Sequence, residues 1–295
     1  MADGCFFFIQ MIHLFATILS STSIFVIFRL AKNYSCKISN LITINYFVAT
    51  LFGFGIFTHF NFHEFNDSKS WLTSGIVLGT LFIIMFFLIG KSSQKAGITI
   101  TTLANKLSLV FPVLFSIIWF NEKTTALKFV GFFTAVLAIF LTIYKKDIKR
   151  TNLLYFFLPI AIFIGSGITD SVVKYAQAVK ISPDESGVFS CVVFLAAFII
   201  ATVISLLNKN RSKILSHSPT LVLGILLGLV NFGSLFFIIN ALNKSNLNSS
   251  LVFVIVNMSI VILSALIGIL FFKEKLSKIN FAGIILAILS FCFLL

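Results

Sequence analysis

Lys106 and Asp170 are the residues of this sequence best placed to do chemistry, because each stands inside a long apolar run. Lys106 falls in Thr101-Thr102-Leu103-Ala104-Asn105-Lys106-Leu107-Ser108, and Asp170 in Gly165-Ser166-Gly167-Ile168-Thr169-Asp170-Ser171. A charge at a helix centre facing lipid costs about 2.5–3.5 kcal/mol, so both side chains are expected to face protein or water. An ammonium or a carboxylate in that position can bind the opposite charge on a small molecule. The two can also pair with each other, and the carboxylate can carry a proton. Lys174 lies four residues beyond Asp170, the spacing of a helical ion pair, and that pairing competes with a ligand-facing role.

Polar residues around Lys106 fall on one side of a helix. Thr101, Asn105, Ser108 and Pro112 follow i, i+4, i+7, i+11 spacing, and Thr99, Thr102 and Lys106 form the neighbouring stripe. Such a face must look at protein or water, either packing on another helix or lining a cavity. Pro112 removes a backbone hydrogen bond and is expected to kink the helix, leaving a carbonyl for a neighbour or a substrate. The cavity-lining candidates are Lys106, Asp170, Asn105, Thr102, Ser108, Ser166, Asn231 and Asn257. Asn231 continues the face of Gly224 and Gly228, glycines suited to close helix approach, so it lines a cavity or hydrogen-bonds a neighbour. Glu122 and Glu274 sit beside lysines at predicted helix ends. With Pro112 and Lys174 they are the structural or gating candidates.

Other chemistries find little support. Cys5, Cys36, Cys191 and Cys292 are scattered without C-x-x-C spacing and read as small apolar residues. His59 and His63 are four apart beside Glu64 but lack the H-E-x-x-H register of a zinc site. There is no phosphate-binding glycine loop, and no metal or cofactor is expected.

The elements that hold these residues follow from composition. Hydrophobic residues make up 59% of the 295 and charged residues 11%, with mean hydropathy +1.08. A soluble domain carries about 25% charged residues, so lipid must solvate this chain. Charged punctuation divides it into ten predicted helices, each near the ~20 residues that cross a bilayer: 6–31, 40–60, 71–90, 97–120, 126–144, 153–177, 186–207, 219–242, 248–272 and 278–295. The first run is too long for a signal h-region and follows no basic segment, so it is expected to be a span. The net charge of +13 is expected to meet anionic headgroups from the loops. No basic stretch is long enough to bind nucleic acid.

The two halves, 1–147 and 148–295, resemble each other. At a shift of 152 positions Asn105 meets Asn257, Glu122-Lys123 meets Glu274-Lys275 and Gly131 meets Gly283; at another offset Gly75 and Gly79 meet Gly224 and Gly228. Ser21 meets Ser166, whereas Lys106 meets Met258 and Asp170 meets Phe25. A unit of five spans is odd in number, so its second copy enters the membrane from the opposite side. Inverted repeats are an architecture of secondary transporters, with the site near the midplane between repeats. The segment from Asn105 through Pro112, then Phe120-Asn121-Glu122-Lys123 and Gly131, resembles the drug/metabolite transporter superfamily with its two EamA domains. The second copy matches except for Ser264 at the proline position. The resemblance implies an all-α integral membrane protein of ten transmembrane helices in two inverted five-helix repeats around a central cavity. It also implies carriage of small metabolites or drugs, substrate unspecified.

The expectation is therefore a multi-pass secondary-active carrier in the cell membrane, not an enzyme, with a small-molecule substrate and the bilayer as partners. Proton coupling and exchange both stay open. An integral-membrane enzyme or a receptor-like or structural membrane protein is the alternative, marked by a tightly packed bundle instead of a polar cavity. Of the 22 Lys and Arg residues, fifteen lie in odd-numbered loops and six in even ones, Lys106 being the remainder. The positive-inside rule places the odd loops in the cytoplasm and both termini outside, whereas the family resemblance implies termini inside. The charge-based assignment predicts that a cysteine replacing Asp67, but not one replacing Lys149, is labelled from outside by an impermeant maleimide. Labelling at Lys149 alone would overturn it.

Overall fold

The computed structural model describes residues 2–56, 69–119, 125–144, 153–180, 186–207, 217–243 and 249–294. They form eleven α-helices: α1 Ala2–Asn33, α2 Ile38–Ile56, α3 Lys69–Lys95, α4 Ile98–Leu107, α5 Val110–Trp119, α6 Ala126–Ile143, α7 Leu154–Val179, α8 Ser186–Leu207, α9 Ser218–Asn243, α10 Ser249–Leu270 and α11 Lys278–Leu294. The chain is an all-α, multi-pass membrane protein. Nine helical segments among the described residues are long and apolar enough to cross a bilayer, α4 and α5 together making one of them, and α11 is a shorter apolar helix. Large side chains such as Phe133, Phe140 and Leu207 stand exposed, as lipid-facing positions must.

The fourth predicted helix is broken. Ser108 and Leu109 separate α4 from α5, one turn before Pro112. Pro112 has no N–H to give to the Ser108 carbonyl, and the Phe111 N–H takes that carbonyl at 2.9 Å instead. Leu109 N–H turns to the Lys106 carbonyl at 3.3 Å. The Asn105 carbonyl, its regular partner lost, accepts the Ser108 hydroxyl at 2.5 Å. Of the two uses expected for the Ser108 carbonyl, by a neighbour or by a substrate, the structure shows the first, in the adjacent Phe111 N–H.

Packing runs mainly between the halves of the chain. α6 lies along α11, α1 and α2 pack on α9, α2 and α3 on α8, α3 on α7, α1 on α10, and α4 on both α10 and α7. Counting α4 and α5 together, these major pairings reproduce themselves when α1, α2, α3, α4–α5 and α6 are exchanged with α7, α8, α9, α10 and α11.

Small residues set the closest approaches. A Cβ on Gly79 of α3 would lie 2.8 Å from Ala196 Cβ and 2.9 Å from the Val193 carbonyl of α8. A Cβ on Gly228 of α9 would lie 2.6 Å from Val48 Cβ and 2.8 Å from the Asn45 carbonyl of α2. Gly131 meets Leu294 in the same way that Gly283 meets Thr142. Backbone contact of this kind replaces the hydrophobic effect, which lipid does not supply between helices.

Two arms of one experiment test this packing. Gly79→Leu is expected to destabilise the bundle by about 1–3 kcal/mol through overpacking, read as a lower thermal midpoint in detergent. Gly55, around whose added Cβ nothing lies within 4 Å, is expected to accept alanine without loss. Equal behaviour of the two variants would refute the close-approach role.

Candidate functional site

The site is built where α4 meets α7. Asn105 Nδ2 donates to Ser166 Oγ at 2.7 Å, and Ser108 Oγ lies 3.1 Å from Asp170 Oδ2. The single Ser108 proton is therefore shared between the Asn105 carbonyl and the Asp170 carboxylate. Lys106 stands on α4 between Asn105 and Ser108, whose contacts reach Ser166 and Asp170, and the described contacts include no direct ion pair between Lys106 and Asp170. Phe111, just past the helix break, sets its ring edge-on to Phe163 at 4.9 Å between centroids. A Cβ on Gly167 would collide with that ring, so this glycine lets the Phe111 ring lie against α7.

Counting helix lengths gives Lys106 and Asp170 depths roughly 12 Å apart, on the premise that their helices start level. They do not. α7 runs sixteen residues before Asp170, while α4 begins only at Ile98, and the Asn105–Ser166 and Ser108–Asp170 contacts bring the two sites side by side.

Exposure separates the lining residues from those behind them. Asp170 presents an exposed surface. The lipid row of α7 runs through Phe157, Ile164 and Ile168, all exposed, and Asp170 lies roughly 140° round the helix from that row at 3.6 residues per turn. Its exposed surface therefore lies on the side of α7 away from that row. Asn105 and Lys106 are half-buried. Ser108, Thr102 and Ser166 are buried: Ser108 and Ser166 brace the site through hydrogen bonds, and Thr102 packs behind it. The first turns of α4 are likewise closed off, with Thr101 Oγ1 2.7 Å from Ser92 Oγ. Thr102, Ser108 and Ser166, named above as cavity-lining candidates, are thus buried at helix contacts.

The remaining candidates fall elsewhere. Asn231 is buried on α9 against Asn45 of α2, a residue the sequence reading did not single out. With its amide turned, Asn45 donates to the Leu227 carbonyl at 3.1 Å and stands 3.2 Å from Asn231 Nδ2. Asn231 therefore serves helix association. Asn257 is half-buried on α10, which packs on α4. Lys174 is half-buried one turn beyond Asp170. Pro112 is buried at the break. Glu122, His59 and His63 lie outside the described residues.

Glu274 holds a junction between the halves. Its carboxylate accepts the Ile98 N–H at 2.5 Å and the Thr99 N–H at 3.2 Å, capping two otherwise unpaired donors at the start of α4, where the helix dipole also favours a negative charge. Gly97, at φ 104°, makes the turn into α4, and a Cβ there would fall 2.5 Å from Glu274 Oε1. Lys273 adopts φ 52° and the Glu274 N–H returns to the Gly268 carbonyl at 2.9 Å, so the α10 terminus aims the carboxylate. On the same face Arg29 donates to the Ser93 and Gln94 carbonyls at 3.1 and 3.0 Å and lies 6.0 Å from the Phe272 ring centroid. Neither Gly97 nor the Arg29–Phe272 contact was singled out from sequence; the glycine just before the Thr-rich helix start was the available signal.

Removing the Glu274 cap is expected to cost about 0.5–2 kcal/mol. Glu274→Ala should lower the thermal midpoint, and Glu274→Gln, which keeps one acceptor oxygen, should lower it less. An unchanged midpoint in the alanine variant would show that the contact holds nothing together.

No family model matches the chain. It is similar to an uncharacterized protein of Haemophilus influenzae, 29% identical over 291 residues that span 95% of this chain and 96% of that protein.

Proposed function

We propose that this protein is a secondary-active carrier of small molecules in the cell membrane, built of ten transmembrane helices as two inverted five-helix repeats, with Lys106 and Asp170 in its substrate site. The observation that carries the reading is the exposed surface of Asp170 on the side of α7 away from its lipid row. A carboxylate kept only for the scaffold is better served by full burial among donors. One left open inside a membrane bundle implies a polar space that solute or water enters.

The packing supports the same reading. The pairings between α1–α6 and α7–α11 survive exchange of the two halves, and Gly79 and Gly228 occupy equivalent contacts under that exchange. Lys106 and Asp170 come from different halves, at the interface where inverted-repeat carriers bind substrate. Their charges break the repeat, since Met258 and Phe25 stand at the matching positions. A scaffold alone does not require that asymmetry.

Lys106→Met and Asp170→Asn variants that reach the membrane in normal amount are expected to lose flux about tenfold or more, the effect of removing one charge-assisted contact to a ligand. Asn231→Leu should lower thermal stability and leave substrate affinity unchanged. Wild-type flux in both charge variants would place Lys106 and Asp170 in the scaffold and remove the site.

A further inference from the structure

We propose that the end of the bundle where Glu274 caps α4 is a docking face for anionic phospholipid headgroups, which bind across the junction between the two halves of the chain. Three segments meet there. Arg29, near the end of α1, donates to the Ser93 and Gln94 carbonyls near the end of α3, and Lys32 donates to the same Gln94 carbonyl at 3.1 Å. Arg29 also lies over the Phe272 ring, and Glu274 takes the Ile98 and Thr99 N–H groups. These contacts gather Lys32, Lys91, Lys95, Lys273, Lys275 and Lys278 at one end of the bundle, all of them exposed. Among the described residues Glu274 is the one acid at this end, and its carboxylate is committed to two backbone N–H groups.

Ammonium groups crowded in this way repel one another, and at about 0.15 M salt the repulsion persists over roughly 8 Å. Lys95 stands two residues before the Gly97 turn, and Lys273 and Lys275 flank the residue that caps the helix after that turn. The repulsion therefore acts between the halves and against the cap, and an anion shared among these lysines turns it into attraction. Exposed aromatic side chains fix the source of that anion. Tyr34 and Phe271 stand exposed in the same segments as the lysines, and Tyr144, whose carbonyl lies 3.0 Å from Asn280 Nδ2, is exposed at the same end. Tyrosines at the end of a membrane bundle mark the headgroup layer, and lysine stems reach along apolar surface to that layer. A phosphodiester carried on acyl chains meets the ammoniums through charge-assisted hydrogen bonds and covers Phe271, which is 77% exposed, with hydrocarbon. A soluble anion does only the first. The proposal is independent of what the bundle carries.

The test uses the purified full chain in a neutral detergent. Phosphatidylglycerol, phosphatidylcholine or inorganic phosphate is added at one concentration, the thermal midpoint is measured, and retained lipid is counted by native mass spectrometry. From an equimolar mixture of the two lipids the chain is expected to keep phosphatidylglycerol about tenfold or more over phosphatidylcholine. Phosphatidylglycerol should also raise the midpoint more than phosphatidylcholine does, and the difference should shrink as salt rises from about 0.05 to 0.5 M. Lys95→Gln alone, and Lys273→Gln with Lys275→Gln, should each reduce the preference, and the three together should abolish it. Arginine at the same three positions should keep it. Lys128→Gln, at the opposite end of α6 from Tyr144, should leave it unchanged. Equal retention of the two lipids by the wild-type chain, or a preference that survives the three glutamine substitutions, overturns the proposal. If the triple variant does not fold, wild-type preference in both partial variants overturns it equally. A midpoint rise with inorganic phosphate that matches the one with phosphatidylglycerol identifies a site for free phosphate and removes the lipid.

Discussion

A hydrocarbon core offers no hydrogen bonds, so every polar group inside the bundle must find its partner in protein or in an enclosed polar space. That constraint explains the helix break between α4 and α5. Pro112 deprives the Ser108 carbonyl of its regular donor, and the chain repairs the loss by turning Phe111 and Leu109 N–H groups back three residues. The Asn105 carbonyl, freed by the same turn, recruits the Ser108 hydroxyl. The hydroxyl that closes the break also reaches Asp170. One local repair thus fixes the position of the carboxylate on the facing helix.

The same constraint shapes the rest of the molecule. Hydroxyls inside the helices return to carbonyls one turn back, as Thr50 does to Tyr46 and Thr142 to Ala138. Buried amides work across helices: Asn280 Nδ2 is 2.7 Å from the Thr142 carbonyl and 3.0 Å from that of Tyr144, tying α11 to the end of α6. Because lipid gives no hydrophobic drive between helices, association rests on such contacts and on close backbone approach at glycine. Both devices join helices from opposite halves of the chain, so the bundle is interleaved and not a pair of side-by-side units.

The α4–α7 site differs from these contacts. Asn280 and Glu274 each find partners that account for their presence. Asp170 has a single serine contact among the described residues, with surface left open. Glu274, which bridges the halves at the start of α4, leads into the helix that carries Lys106.

The sequence by itself determined the helices. Their edges, read from where charged and polar residues interrupt apolar runs, match the structure to within a few residues: 126–144 against Ala126–Ile143, and 186–207 against Ser186–Leu207. This is so because the bilayer sets span length and the cost of charge sets the boundaries. Pro112 announced the break for a local steric reason. What sequence could not supply was the relative depth of helices, and with it the company each polar residue keeps. Asn231 and Asn105 are both asparagines in apolar runs. Only the tertiary structure sends one to an asparagine across the α2–α9 interface and the other to Ser166 across the α4–α7 contact. Lys106 and Asp170 became neighbours because α4 and α7 start at different levels, an offset fixed by the Gly97 turn and the Glu274 cap, contacts between segments that lie more than 170 residues apart in sequence.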